Sequence, residues 1–366
     1  MSDFIPGLEL SRLFYLETVK PLLDESFPQL RYSAALIGFG SEVLGFDTEM
    51  SADHDWGARL MIFLEEDDFA ARRDAIHELL SRRLPYEFRG FPTNFSPPDP
   101  EDNGTRRLEK IERGLINHRV EFFTIRGFFR FYINLDLHLP LEAADWLTLP
   151  EQKLRAITAG AVYHDETGLR ETIRRFEYYP RDVWLYLLAS GWNRISQDEH
   201  LTGRAANVGD EIGSAIIAAR IVRDLMRLCF LMEKQYAPYP KWFGMAFSRL
   251  SCAPDLSPVL SKVLSAETWR EREKFLAAAY EYVAGMHNRL KITEKLPAKA
   301  ANFFNRPFLV IHLHGKFADE ICKLITDPAV KRLTERRLIG SLDQISDNTD
   351  ILCGTQWREN LRKLYE

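Results

Sequence analysis

The chain has 366 residues, of which 46% are hydrophobic, and it carries a formal net charge of -5. This length and composition are sufficient for two or three domains with buried cores, so the protein should be globular and ordered. The mild negative charge argues against broad, sequence-independent capture of nucleic acid, although a local basic cleft is compatible with it.

The cysteines and the apolar stretches exclude further classes of protein. Cys229, Cys252, Cys322 and Cys353 are far apart and form no C-x-x-C pair, which argues against a zinc knuckle, a redox dithiol or a disulfide framework. A reducing cytoplasm is therefore the expected location. The first ten residues lack the basic and apolar regions of a secretory signal, and no stretch approaches the length of a membrane span.

The first third of the chain alternates helices with short apolar strands. Apolar residues at helical spacing predict helices over residues 8–27 and 69–84. Between them, buried strands are predicted over residues 34–39 and 58–64, with a turn after the first of them. Residues 120–125 are rich in β-branched and aromatic side chains and predict a third strand beside these two.

From residue 151 onward the strand signals fade and helical patterns dominate. Helices are predicted over residues 152–161, 168–176, 183–197, 209–236 and 266–290. We therefore expect an α+β protein, with a domain that contains the strands in residues 1–148 and an α-helical domain in residues 149–366. Residues 295–366 are a candidate for a separate terminal unit.

Two aspartates one residue apart, Asp53 and Asp55, open the second strand-like run. On a strand, residues i and i+2 share a face, so both carboxylates would aim at one point, roughly 6–7 Å apart. They would repel each other unless a cation lay between them, and carboxylate oxygens favour Mg²⁺ or Mn²⁺. This pattern predicts a divalent metal site.

Gly40 and Ser41 form the turn after the first predicted strand. Glycine lets backbone N–H groups approach a phosphate closely, and the serine hydroxyl adds a donor. A phosphate chain held there would present its oxygens to metals on Asp53 and Asp55, as two-metal phosphoryl chemistry requires.

A third carboxylate usually completes such a site or acts as a general base towards the attacking hydroxyl. Glu121 is the candidate, because it lies inside the third predicted strand between apolar neighbours. Asp136 is the reserve.

The order of these motifs resembles a known family. Gly40-Ser41, eleven intervening residues, Asp53-His54-Asp55 and a later strand bearing Glu121 resemble the signature of the DNA polymerase β-like nucleotidyltransferase superfamily. The run over residues 38–57 resembles an uncharacterised bacterial branch of it, a domain of unknown function with a helical C-terminal region. Matching text for that branch continues at residues 159–165, 220–231 and 236–242, so the branch resemblance extends over most of the chain.

The resemblance implies a small mixed sheet with helices on one side and an active-site cleft that faces a helical domain. It also implies transfer of a nucleoside monophosphate from a nucleoside triphosphate, with release of pyrophosphate. The matching positions are Gly40 and Ser41 for the phosphate-binding turn, Asp53 and Asp55 for the metal ligands, and Glu121 for the third acid. In related enzymes a basic residue of the helical domain reaches the triphosphate, and Lys241 is the candidate here.

These patterns predict a cytoplasmic, Mg²⁺- or Mn²⁺-dependent nucleotidyltransferase that moves a nucleoside monophosphate from a nucleoside triphosphate to a hydroxyl. AMP is the favoured nucleoside monophosphate, and ATP is therefore the favoured substrate. Because the chain is acidic and has no basic run, a small molecule or a protein is favoured as acceptor over long nucleic acid. No membrane partner is expected. Two alternatives stay open: a nucleotide-binding regulator or toxin–antitoxin-like partner without turnover, and an interaction scaffold that binds no nucleotide.

Overall fold

The computed structural model describes residues 4–366, apart from the side chains of Asp53 and His314. In chain order, the first elements are α1 (Gly7–Phe14), α2 (Lys20–Ser26), β1 (Tyr32–Leu36), β2 (Arg59–Leu64), α3 (Glu66–Arg83), β3 (Glu87–Phe88), β4 (Phe91–Pro92), β5 (Arg119–Phe123), α4 (Ile125–Ile133), α5 (Ala143–Thr148), α6 (Glu151–Thr158), β6 (Ala161–Asp165) and α7 (Leu169–Arg174).

The remaining elements are almost all helical. They are α8 (Arg181–Asp198), α9 (Leu201–Asn207), α10 (Glu211–Met232), α11 (Phe243–Phe247), α12 (Ala253–Ser265), α13 (Trp269–Leu290), β7 (Ala301–Phe303), β8 (Arg306–Val310), α14 (His312–Gly315), α15 (Phe317–Cys322), α16 (Pro328–Thr334), α17 (Leu342–Ile345), α18 (Thr349–Cys353) and α19 (Arg358–Arg362). Within the described residues, no helix is both long and apolar enough to cross a membrane.

A small mixed sheet organises the first half of the chain, with strand order β5-β2-β1-β6. β1 is antiparallel to both β2 and β6, whereas β2 is parallel to β5. The α+β class and the mixed sheet are therefore confirmed, and all three predicted strands are present beside one another. The edge strand β6 was not predicted. The central strands β1 and β2 are buried along their whole length, which explains their continuous apolar sequences.

Helices cover both faces of this sheet, rather than one side as the resemblance implies. Successive side chains of β2 point to opposite faces of the sheet. Leu60 and Ile62 lie on the same face, where they form a core with Phe14 of α1 and Ile76 of α3. On the other face, the ring of Phe63 lies 5.5 Å from that of Phe128 in α4. The fully buried strands thus have an apolar layer on each side.

The opening helix is confirmed, with one irregularity. α1 and α2 are joined by a π-helical segment, Tyr15–Val19, so that helical backbone runs without interruption over the predicted range. The buried residues Leu10, Phe14 and Leu23 face the sheet. Tyr15 and Val19 of the π-helical segment are buried as well, so the apolar face continues through it.

The chain divides into two compact units. The first contains residues 1–140 and 153–177, and the second contains residues 141–152 and 178–366. The second unit is mainly α-helical, as predicted. Its helix α8 is buried over most of its length, and Trp184 of this helix donates its indole N–H to the Leu231 carbonyl at 2.8 Å. Trp192 of the same helix stacks on Phe317 with ring centroids 4.2 Å apart.

Candidate functional site

Sheet topology brings the predicted motifs to one end of the first unit. Because β1 and β2 are antiparallel, the segment that follows β1 lies beside the segment that precedes β2. Because β2 and β5 are parallel and Arg59 pairs with Arg119, β5 starts at this same end. Gly40-Ser41, Asp53-His54-Asp55 and the beginning of the strand that carries Glu121 therefore meet at one edge.

The turn after β1 requires glycine. Gly38 and Gly40 have φ angles of 83° and 123°, which side chains rarely adopt. A Cβ atom on Gly40 would lie 2.3 Å from Oε2 of Glu42. The Ser41 carbonyl accepts hydrogen bonds from the N–H groups of Leu44 and Phe46 at 3.2 and 3.0 Å, which closes the turn. Gly40 and Ser41 thus form a tight connection, in which Gly40 has no side chain of its own and the Glu42 carboxylate packs against it.

We expect Gly40→Ala to destabilise the first unit more than Gly114→Ala. Both glycines have positive φ, and left-handed strain costs about 1–3 kcal/mol, but a Cβ on Gly114 would meet nothing within 4 Å. The Gly40 variant must also displace the Glu42 carboxylate. Urea denaturation of both variants should therefore show the larger loss for Gly40→Ala, and equal losses would contradict the contact with Glu42.

The acidic motif does not lie on a strand, so that prediction was wrong. Asp53 is the last residue of a 3₁₀ helix, Glu49–Asp53, and Asp55 follows in a bend with φ of 46°. A capping box between Thr48 and Ser51 starts this 3₁₀ turn, and β2 begins only at Arg59. The alternation of a strand consequently gives no information on where the two carboxylates point, and the Asp53 side chain lies outside the described atoms.

One buried guanidinium holds the turn and the acidic segment together. Nη1 of Arg59 donates to Oε1 of Glu42 at 2.8 Å and to the Asp55 carbonyl at 2.6 Å, while Nη2 donates to the Phe39 carbonyl at 3.4 Å. The side chains of Arg59 and Glu42 are each only 3% exposed. Burial raises the pKa of Glu42, and the charge of Arg59 opposes this effect. Arg59 therefore fixes the relative position of the two motifs.

The ion pair between Arg59 and Glu42 was not predicted, although the sequence contains an indication of each residue's role. Arg59 is the single charged residue of the strand sequence RLMIFL, and Glu42 directly follows the Gly40-Ser41 turn. A charged residue that opens an apolar, fully buried strand needs a partner, because isolated buried charges are very costly. The pairing itself could be recognised only once β1 and β2 were known to be antiparallel.

Asp55 and Glu121 contact the same guanidinium. Oδ1 of Asp55 lies 3.8 Å from Nη1 of Arg119, and Oε1 of Glu121 lies 3.7 Å from Nη2. The two carboxylate side chains are 40% and 36% exposed, whereas that of Arg119 is 17% exposed. Burial lowers the pKa of Arg119, and the neighbouring Glu121 opposes this shift. Glu121 thus lies on β5 beside β2, and it is brought to the acidic segment through Arg119.

These donors suit a hard divalent cation by their chemistry, since carboxylate oxygens are the ligands that Mg²⁺ and Mn²⁺ prefer. Among the described side chains, no group of three or more histidine, cysteine, aspartate or glutamate residues is arranged to hold a metal ion. Asp55 and Glu121 supply two carboxylates, and Asp53 stands two residues before Asp55. Asp47, another carboxylate of the loop, accepts hydrogen bonds from Gly7 and Trp56 at 2.7 and 3.1 Å and has a structural role.

The other two predicted residues lie elsewhere. Asp136 follows α4, where its carboxylate accepts hydrogen bonds from the His138 N–H at 3.1 Å and from Arg126 at 3.0 Å. The hydrogen bond from the His138 N–H is the main reason that the pKa of Asp136 lies below its ordinary value, and the hydrogen bond from Arg126 lowers this pKa further. Lys241 belongs to the second unit, in the 3₁₀ turn Pro240–Trp242, where it is exposed and its Nζ lies 5.4 Å from the Trp242 ring centroid.

Comparison with known proteins adds a family match and a distant structural similarity. Residues 146–243 match the model of a domain of unknown function, DUF4037, a range that includes Lys241 but not the Gly40-Ser41 turn, Asp55 or Glu121. A nucleotidyltransferase-like protein from Exiguobacterium sibiricum 255-15 is similar in structure, with a TM-score of 0.30 and 11% identity over 78% of this chain and 74% of that chain. No curated protein matches the chain.

Proposed function

We propose that this chain is a Mg²⁺- or Mn²⁺-dependent nucleotidyltransferase that transfers a nucleoside monophosphate from a nucleoside triphosphate to a hydroxyl. AMP is the favoured nucleoside monophosphate. The acceptor is a small molecule or a protein. The observation that carries the proposal is the Arg59 clamp, because one buried guanidinium bonds to both motifs, through the Phe39 carbonyl before Gly40-Ser41 and through the Asp55 carbonyl. Such a connection keeps a phosphate-binding turn at a constant distance from a metal-binding segment.

In this proposal each residue has a defined task. The Gly40-Ser41 turn receives the β- and γ-phosphates, since a glycine backbone lets a phosphate approach closely. Asp53 and Asp55 would hold the cations together with Glu121, and a bound cation would neutralise charge on the phosphates and lower the pKa of the attacking hydroxyl. In the alternative role, Glu121 would accept the proton of that hydroxyl instead of binding a cation. Lys241 would contact the triphosphate.

Turnover by the purified full chain tests the proposal. Incubation with Mg²⁺ and each of the four labelled nucleoside triphosphates should release pyrophosphate and add the mass of one nucleoside monophosphate to an acceptor, detected as intact mass. Chelation of the cation should stop the reaction. Absence of pyrophosphate release with every nucleotide, in the presence of candidate hydroxyl acceptors, would contradict an enzymatic role.

A nucleotide-binding regulator without turnover is the second candidate, and Arg119 is the observation that favours it. Its guanidinium contacts the carboxylates of both Asp55 and Glu121, so it already supplies positive charge where a catalytic cation would be needed. Calorimetry separates the two functions. Binding of a nucleoside triphosphate without any product would support the regulator, whereas binding followed by pyrophosphate release would support the enzyme.

A further inference from the structure

An exposed aromatic platform adjoins the candidate phosphate-binding turn. It consists of Phe39, Phe123 and Phe131. Phe39 lies between the two glycines of the turn and is 48% exposed, and Phe131 of α4 is 62% exposed. The rings of Phe39 and Phe131 are 6.3 Å apart, and Phe131 stacks on Phe123 at 6.3 Å with an interplanar angle of 26°.

Contacts with buried residues fix the position of Phe39 in the platform. The ring of Phe39 rests edge-on against buried Tyr132, with centroids 4.7 Å apart and an interplanar angle of 87°. The Phe39 carbonyl accepts a hydrogen bond from Arg59 at 3.4 Å. A ring fixed in this way loses little conformational entropy when a ligand covers it, so its exposed face is prepared for stacking.

The platform shares one face of the sheet with Glu121. Glu121 and Phe123 are two positions apart on β5, so their side chains leave the same face of the sheet. Phe39 immediately precedes Gly40-Ser41 in the turn. A ligand that reaches from the turn onto the platform would therefore place phosphate oxygens at the turn and a flat ring on the platform.

We propose that the platform binds the nucleobase of the nucleoside triphosphate by stacking. This proposal rests on the nucleotidyltransferase function proposed above. A second protein chain is a poor occupant, because the exposed parts of two phenylalanines amount to roughly 200 Å², well below the roughly 800 Å² that each partner of a stable complex buries. Stacking provides no hydrogen-bond readout, so purine nucleotides should bind similarly to each other and more tightly than pyrimidine nucleotides.

Binding of two probes to the full chain separates the base from the phosphates. ATP and inorganic tripolyphosphate are titrated calorimetrically, with Mg²⁺, into the unmodified protein, Phe131→Ala and Phe131→Trp. The Ala variant should bind ATP about tenfold more weakly, the loss expected for one stacking contact, and tripolyphosphate unchanged. The Trp variant, with a larger ring, should bind ATP at least as tightly as the unmodified protein.

Phe304→Ala is the matched control, because Phe304 is 69% exposed and contacts another phenylalanine, Phe303, but belongs to the second unit. Its binding of both probes should not change. If the unmodified protein binds ATP and Phe131→Ala binds it equally well, the base platform is wrong while the proposed function stands. If Phe131→Ala weakens both probes equally, the ring supports the turn and not the base. If the unmodified protein binds neither probe, both proposals fail.

Discussion

Asp55→Asn is expected to lower nucleotidyl transfer on the order of 10²–10³-fold, the loss typical of removing one group that stabilises developing charge at a phosphoryl centre. Asparagine preserves the size of the side chain and leaves the backbone bonds of Asp55 to Arg106 and Arg59 in place. The loss should therefore come from the missing charge and not from a displaced loop. Initial rates of pyrophosphate release at saturating ATP measure it.

Asp74→Asn provides the control for this substitution. Asp74 lies on α3, its side chain is 86% exposed and it pairs with the adjacent Arg73 at 2.7 Å, so the variant should keep its rate within about twofold. Binding of Mn²⁺, followed by electron paramagnetic resonance, is a second measurement and should weaken in Asp55→Asn alone. An Asp55→Asn variant with unchanged rate and unchanged Mn²⁺ binding would remove Asp55 from the site.

The sheet was largely predictable because its central strands bury both faces. The apolar runs that became β1 and β2 are too continuous for a strand with one exposed face, and the aromatic and β-branched residues of β5 are typical of a strand. Strand β6, Ala161–Asp165, gave no comparable signal. It is a half-buried edge strand that contains His164 and Asp165, and Asp165 ends it by capping the turn before α7.

The acidic segment shows why the local geometry of the site was not predictable. The order Asp53-His54-Asp55-Trp56 imitates the two-residue period of a strand, but Gly57, with φ of 139°, and the 3₁₀ turn at Glu49–Asp53 bend the chain instead. Aspartate tolerates the left-handed backbone that Asp55 adopts better than most residues. A period of two over four residues is too short to distinguish these conformations.

Contacts between residues far apart in the sequence could not be predicted, for a different reason. The pairs that build the site, such as Arg59 with Glu42 and Arg119 with Asp55, depend on which strands are neighbours and in which direction they run. Phe39 was assigned to the end of a strand, and only the two positive φ angles beside it turn its ring outward. Motif order can therefore indicate a reaction class, whereas the residues that position the motifs require the topology.

Arg59→Met is expected to lower the free energy of unfolding of the first unit by about 3–5 kcal/mol, the range for removing one partner of a buried ion pair. The substitution leaves Glu42, only 3% exposed, without its cation, and it removes the donor to the Phe39 and Asp55 carbonyls. Hydrogen exchange of the amides in β1 and β2 measures the loss in this unit alone. Arg82→Met, which breaks an exposed pair with Glu78, should change it by no more than about 0.5 kcal/mol.

The loss should also depend on pH, with a sign set by Glu42. Burial raises the pKa of Glu42 in the folded state above its ordinary 4.5, so its contribution to stability is fully present below that pH and is lost as the pH rises through the raised value. Without Arg59 the pKa should rise further. The difference between the unmodified protein and Arg59→Met should consequently be larger at pH 7 than near pH 4.5. In Glu42→Gln/Arg59→Met, which has no carboxylate at this position, the additional loss towards pH 7 should disappear. A difference that is independent of pH in the single variant would mean that the hydrogen bonds to the two carbonyls, and not the ion pair, are what Arg59 contributes.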